Sequence, residues 1–200
     1  MKPKQIPGVP IQKKGGFHDS ESTKACTDSD VYSQFDLLKQ RFFSINQWKS
    51  YAGGSSADFR HFDSSGKPAE RMPQKGDFIR IEIPGPGNRE GKGYDWVEII
   101  NLSHHDAVTA EYYLMVCRPC KDPDQPEGKV AHFYSTAATS NIMISREGNM
   151  LKVGVYGRNE MPNFQAGFTD KIRNFFIGIG GMFGFSKIHW KSLAEGLIKF

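Results

Sequence analysis

The sequence predicts an α+β fold, a curved antiparallel sheet or small barrel of six to seven strands covered by one N-terminal helix and by C-terminal helices. Three observations predict it. A helical apolar period runs through residues 31–52, short apolar runs punctuated by Gly, Pro, Asn and Asp fill residues 57–157, and a helical texture returns after Pro162. A doubly wound fold would alternate strands with helices, and this order does not.

Residues 1–30 (MKPKQIPGVPIQKKGGFHDSESTKACTDSD) hold three prolines, paired glycines and charges of both signs. They show no sustained period and are expected to form a flexible tail, leaving residues 31–200 as a single domain. In the helix that follows, Val31, Phe35, Leu38, Phe42 and Ile45 recur at spacings of four and three. Asp30 is placed to cap it and Gly53-Gly54 to end it. Leu37, Phe43 and Trp48 widen the apolar face, which suits packing on a sheet better than a coiled-coil seam.

Strands are expected at Phe59 to Phe62, Phe78 to Ile83, Trp96 to Leu102, Glu111 to Cys117, Val130 to Tyr134, Asn141 to Arg146 and Leu151 to Tyr156. Ile79, Ile81 and Ile83 share one face, with Arg80 and Glu82 on the other. The Gly148-Asn149 pair predicts a tight hairpin. Beyond Pro162, Thr169 or Asp170 caps a helix through Ile172, Phe175, Phe176, Ile179 and Phe183 that Gly180-Gly181 and Gly184 weaken, and a second helix is expected from Ser186.

The chain has 200 residues, a net charge of +4 and a hydrophobic share of 38%, enough apolar matter to build a core. The charge is too mild to argue for nucleic acid, which is not expected as a partner. No run approaches the roughly 20 apolar residues of a membrane span, and residues 1–14 lack the apolar centre of a signal peptide. With three cysteines as well, the reading is a cytoplasmic protein without a disulfide scaffold.

Cys117-Arg118-Pro119-Cys120 has the spacing of two zinc-ligating thiolates, and His104, His105 or His132 would have to complete such a site. A redox role is disfavoured, because the prolines and glycine that follow cannot start a helix to activate the first thiol. His104-His105-Asp106 reads as a solvated turn. Its histidines, like His132, are acid or base candidates only in an enzymatic variant of a pocket protein. There is no G-x-S-x-G, H-E-x-x-H or phosphate loop, so no catalytic residue is assigned.

Residues 168–200 carry Lys171, Arg173, Lys187, Lys191 and Lys199 against Asp170 and Glu195, interleaved with Phe and Trp. Such a segment either covers the domain's own sheet or meets a partner or a membrane surface peripherally. Arg158 and Glu160, beside the last strand, are candidates for holding an anionic or peptide ligand.

GDFIRIEIPGPG, GYDWVEI and ATSNIMISREGNMLKVGVYGRNEMPN, followed by GFSKIHWKSL, resemble small uncharacterised bacterial proteins of no named family, loosely associated with secretion or injection machinery. The resemblance implies an interaction role and no catalytic residue or cofactor. The first reading is therefore a non-enzymatic binding or assembly protein, an accessory or component of a bacterial secretion apparatus. Its contacts would be Trp190, Leu197, Lys187 and Lys191, the loops Pro84 to Gly93 and Arg118 to Gly128, and the Arg158 and Glu160 pair. The alternative is a domain holding a small apolar ligand between the sheet and the C-terminal helix. A zinc site at Cys117 and Cys120 with His104 and His132 is the third.

Overall fold

The computed structural model describes residues 2–53, 56–83, 90–163 and 182–200, the last with side chains from His189 onward. Its elements are β1 (Gly16–Ala25), α1 (Val31–Phe43), a 3₁₀ turn (Ile45–Gln47), α2 (Trp48–Ala52), β2 (Asp58–Phe62), β3 (Phe78–Glu82), β4 (Asp95–Asp106), β5 (Ala110–Pro119), β6 (Thr139–Glu147), β7 (Met150–Glu160) and α3 (Met182–Ile198). Among these residues the strands form one antiparallel sheet in the order β1-β7-β6-β5-β4-β3-β2. β1 and β2 are its two edges, so the α1–α2 segment carries the chain from one edge to the other.

Side chains alternate across this sheet as the pleat requires. Phe59, Ile79, Ile81, Val97, Ile99, Met115, Ile142, Ile144, Val153 and Val155 face one way and are buried against Phe35, Leu38, Phe42 and Trp48 from the first helices. Trp190, Leu193, Ala194 and Leu197 from α3 complete that core. α3 meets α2 closely: a Cβ on Gly196 would stand 2.3 Å from the Tyr51 carbonyl oxygen, so only glycine lets the two backbones approach this far.

The expected flexible tail is corrected. Gly16–Ala25 is an edge strand paired along β7, from Gly16 opposite Glu160 to Ala25 opposite Met150. Its inward side chains include His18 and Ser20, both buried yet polar, so the alternation that marks a strand never shows as hydrophobicity. Residues 2–14 lie as a strap on the opposite face of the sheet. Ile6 and Val9 pack on Leu114, Val116, Met143 and Tyr156. Asn159 fastens the strap, accepting from the Lys13 and Lys14 amides and donating to the Ile11 carbonyl.

The expected single helix over 31–52 breaks at Ser44, whose ψ of 63° leaves the helical region. The break keeps Ile45 and Trp48 aimed at the sheet, and the Trp48 indole N–H donates to the carbonyls of Arg41 and Phe42 at the end of α1. Asp30 flanks α1 but makes no side-chain cap; its carboxylate accepts from Thr27 and Ser29 instead. Gly53, with φ of 91°, ends α2 as expected.

Six of the seven expected strands form. Val130 to Tyr134 does not, and makes only two isolated bridges, Lys121 with Val130 and Tyr134 with Pro162. Its apolar run is explained by burial in a loop: Ala131, His132, Phe133 and Tyr134 are all buried. The hairpin at Gly148-Asn149 joins β6 to β7 with Glu147 opposite Met150. β4 continues to Asp106 rather than stopping at Leu102, because Glu111, Tyr112 and Tyr113 of β5 provide partners for residues 104–106. Of the helix expected from Thr169 through Phe183, residues 169–181 lie outside the described residues, and Phe183 belongs to α3. α3 begins at Met182, ahead of the expected Ser186.

Candidate ligand cleft

An open cleft of about 850 Å³ lies between α1, the 3₁₀ turn and the connection from β2 to β3. One wall is the stripe Asp36, Lys39, Gln40 and Phe43, which spacings of three and four place on one side of α1. The other wall is Glu70, Arg71 and Met72, with Tyr113 of β5 and His61 of β2 on the floor. Both apolar and polar groups line it, so the cleft suits an amphipathic guest.

Asn46 sets the width. Its Oδ1 accepts the His61 amide at 2.7 Å and its Nδ2 donates to the Ala69 carbonyl at 2.9 Å, so the 3₁₀ turn is tied both to β2 and to the start of the opposite wall. The Tyr113 ring is fixed by an edge contact from Phe43 at 5.4 Å and by the stacked His104 imidazole at 4.1 Å. Lys39 pairs with Asp36 at 2.6 Å. Burial works against the Lys39 charge, but the Asp36 bond and the charges of Asp36 and Glu111 outweigh it and hold the ammonium pKa above its usual value.

Behind the floor lies a buried pair, His61 and Asp77, which the partly exposed Arg71 grips from the wall. His61 Nε2 is 2.8 Å from Asp77 Oδ2, and Arg71 grips both oxygens of the same carboxylate at 2.7 and 2.8 Å. The Gln74 amide adds a third donor at 2.8 Å. Burial alone would raise the Asp77 pKa; the bonds from Arg71, His61 and Gln74 overcome it and hold the carboxyl below its ordinary range. Lowered in the fold relative to about 3.9 in the unfolded chain, Asp77 contributes stability that is complete above that unfolded value and drains away as pH falls through the folded one. Asp77→Asn is expected to cost about 1–3 kcal/mol near neutrality. It should also flatten the acid limb of a stability-against-pH curve followed by urea unfolding. An acid limb as steep as the parent's would show that Asp77 does not supply it.

The residues singled out in the sequence lie elsewhere. Trp190 and Leu197 are buried in the core at 9% and 0% exposure, which corrects their assignment to a docking surface. Lys191 is exposed and pairs with Glu195 at 3.7 Å one turn on. The Lys187 side chain and residues 84–89 of the expected contact loop lie outside the described residues.

Arg158 and Glu160 are also buried, at 1% and 2%, and are committed to the fold rather than to a ligand. Arg158 donates to the carbonyls of His18, Gly157 and Lys4 and lies 2.8 Å from Asp19 Oδ1. Glu160 Oε1 is 2.9 Å from His18 Nδ1, and this pair lies where a Cβ on Gly157 would be, 2.2 Å from each atom.

The zinc reading is corrected likewise. Among the described residues no group of three or more His, Cys, Asp or Glu is placed to hold a metal ion. Cys117 points into the core, where burial pushes its thiol up to about 12, and burial raises the Cys120 thiol too. His132 is buried, its pKa pushed down to about 3, and its Nδ1 accepts the Tyr134 amide. His104 and His105 point to opposite faces of β4, onto Tyr113 and Tyr112. The apolar slot below α3, lined by Phe59, Ile81, Phe133 and Trp190, has room for about 20 Å³, the scale of one water.

Sequence reasoning missed His61, Asp77, Arg71 and Asn46. The available signal was His61 at an inward position of a strand whose neighbour Phe59 is apolar, which marks a buried histidine in need of a partner.

The architecture is that of an α+β protein whose single sheet is gripped by helices on one face, with an open cleft at the α1 end. No known family matches the chain, and no curated protein matches it. Among solved structures it is similar to the hypothetical protein jhp0584 from Helicobacter pylori, with 7% identity, 95% of this chain and 98% of that chain covered and a TM-score of 0.48. It is also similar to Ara h 8.0201 (12% identity, 89% and 99% covered, TM-score 0.32) and to norcoclaurine synthase from Thalictrum flavum (10%, 77% and 80%, 0.34). Among the described residues no helix is long and apolar enough to cross a membrane.

Proposed function

We propose that this chain is a small-molecule-binding protein that holds an amphipathic organic ligand in the cleft between α1 and the β2–β3 connection. The observation that carries the reading is the cleft itself. About 850 Å³ lies within the range of small-molecule sites, and the lining pairs apolar Phe43, Ile45, Met72 and Tyr113 with polar His61, Arg71, Lys39 and Asn46. This keeps the ligand-binding alternative and moves its site. The space under α3 is filled by Trp190, Trp48 and Phe59, whose rings stack edge to face or tilted at 5.3 and 5.7 Å.

The test uses 8-anilinonaphthalene-1-sulfonate as probe. The parent protein should take it up saturably at one site. Gln40→Trp, at an exposed position on the cleft wall, should abolish uptake without lowering Tm. Uptake undiminished in that variant, or no uptake by the parent, would overturn the reading.

A further inference from the structure

We infer that the cleft selects ligands bearing a hydrogen-bond donor, a phenol or alcohol hydroxyl, presented to Nδ1 of His61. The inference rests on the ligand-binding reading and adds the chemistry of the head group.

It follows from the order of the hydrogen bonds behind the floor. Asp77 accepts two bonds from Arg71 and one from the Gln74 amide, an arrangement that holds it as an anion. An anionic carboxylate has only acceptors, so the His61 nitrogen 2.8 Å away, Nε2, must carry the proton. In the neutral ring the other nitrogen, Nδ1, then carries the lone pair. Asp77, gripped by Arg71 from the cleft wall, is thus a positioning residue that fixes which tautomer His61 presents.

His61 cannot turn to change that choice. Its backbone amide is held by Asn46, its ring is buried at 2% exposure, and rotation would break the bond to Asp77. His61 is nevertheless one of the residues that line the cleft, together with Arg71 and Met72. A ligand whose apolar body rests on Phe43 and Tyr113 would bring a hydroxyl down onto the ring edge. A ligand of the same shape without a donor would cover the acceptor and leave it unsatisfied, which costs affinity.

The experiment compares 2-naphthol with 2-methoxynaphthalene, which keeps the aromatic body and the oxygen but has no donor. Binding to the full chain is measured by fluorescence, with the His61 ring neutral as its ¹⁵N signals report. The expected results are the Nε2-protonated tautomer in the free protein, a Kd about tenfold lower for 2-naphthol, and a shift of the Nδ1 resonance on its addition alone. In His61→Phe the preference should vanish while both probes still bind.

Equal affinities in the parent, or an Nδ1-protonated ring, would overturn this inference and leave the cleft as a binding site. Failure of both probes to bind would overturn the ligand-binding reading itself. Should His61→Phe not fold, the parent's tautomer and its preference between the probes decide the matter without it.

Discussion

Trp190→Ala is expected to destabilise the protein by about 3–5 kcal/mol, enough to move the urea midpoint far below that of the parent. The Trp190 ring lies against Phe59 at 5.7 Å, Phe59 in turn meets Trp48 at 5.3 Å, and the three join α3, β2 and α2 in one stack. Removing the central contact of α3 leaves a cavity between helix and sheet that the surrounding packed side chains close only in part. Leu197→Ala, at 0% exposure, should cost about 2–5 kcal/mol for the same reason. A docking role for these side chains predicts the opposite: lost partner retention with the unfolding midpoint unchanged. A midpoint within experimental error of the parent's would mean that α3 is not part of the core.

Arg158→Met should cost a comparable amount, about 3–5 kcal/mol. The guanidinium, 1% exposed, satisfies the carbonyls of His18, Gly157 and Lys4 and neutralises Asp19 at 2.8 Å. A methionine of similar length fills much of the space but leaves three carbonyls and a carboxylate without their donor. Because Arg158 reaches from β7 across β1 to the N-terminal strap, the loss should appear first as protease cleavage within residues 2–14. Adding Asp19→Asn should recover part of the loss by removing the stranded charge, a coupling that a double-mutant cycle reads directly. Strict additivity of the two substitutions would show that the pair does not interact.

These two expectations also mark where the sequence could be read and where it could not. The sheet was legible because its inward positions are aliphatic: Ile79 and Ile81, Ile142 and Ile144, and Val153 and Val155 each repeat at two. α1 was legible from Val31, Phe35, Leu38 and Phe42 for the equivalent reason at a helical period. β1 was not, because its inward residues are His18 and Ser20 and its stability comes from pairing with a strand more than 120 residues away. Arg158 and Glu160 look like surface groups in sequence; only β1, the strap and the glycine at 157 turn their surroundings into an interior.

The cleft was illegible for a further reason. His61, Asp77 and Arg71 come from a strand, the start of the next strand and the loop between them, and Asn46 reaches them from the 3₁₀ turn. No fixed spacing announces such a group, and neither the break of α1 at Ser44 nor the path of the β2–β3 loop follows from periodicity. Cys117 and Cys120, by contrast, have a spacing that announces chemistry, and the first of them is a core side chain.

The most direct test of the cleft as the ligand site is a map of backbone amide shifts on titrating 8-anilinonaphthalene-1-sulfonate into the ¹⁵N-labelled protein. The account predicts saturable shifts concentrated at residues 36–47, at His61, at residues 70–72 and at Tyr113. Shifts concentrated instead at Phe133, Tyr134 and Trp190, around the slot beneath α3, would contradict it.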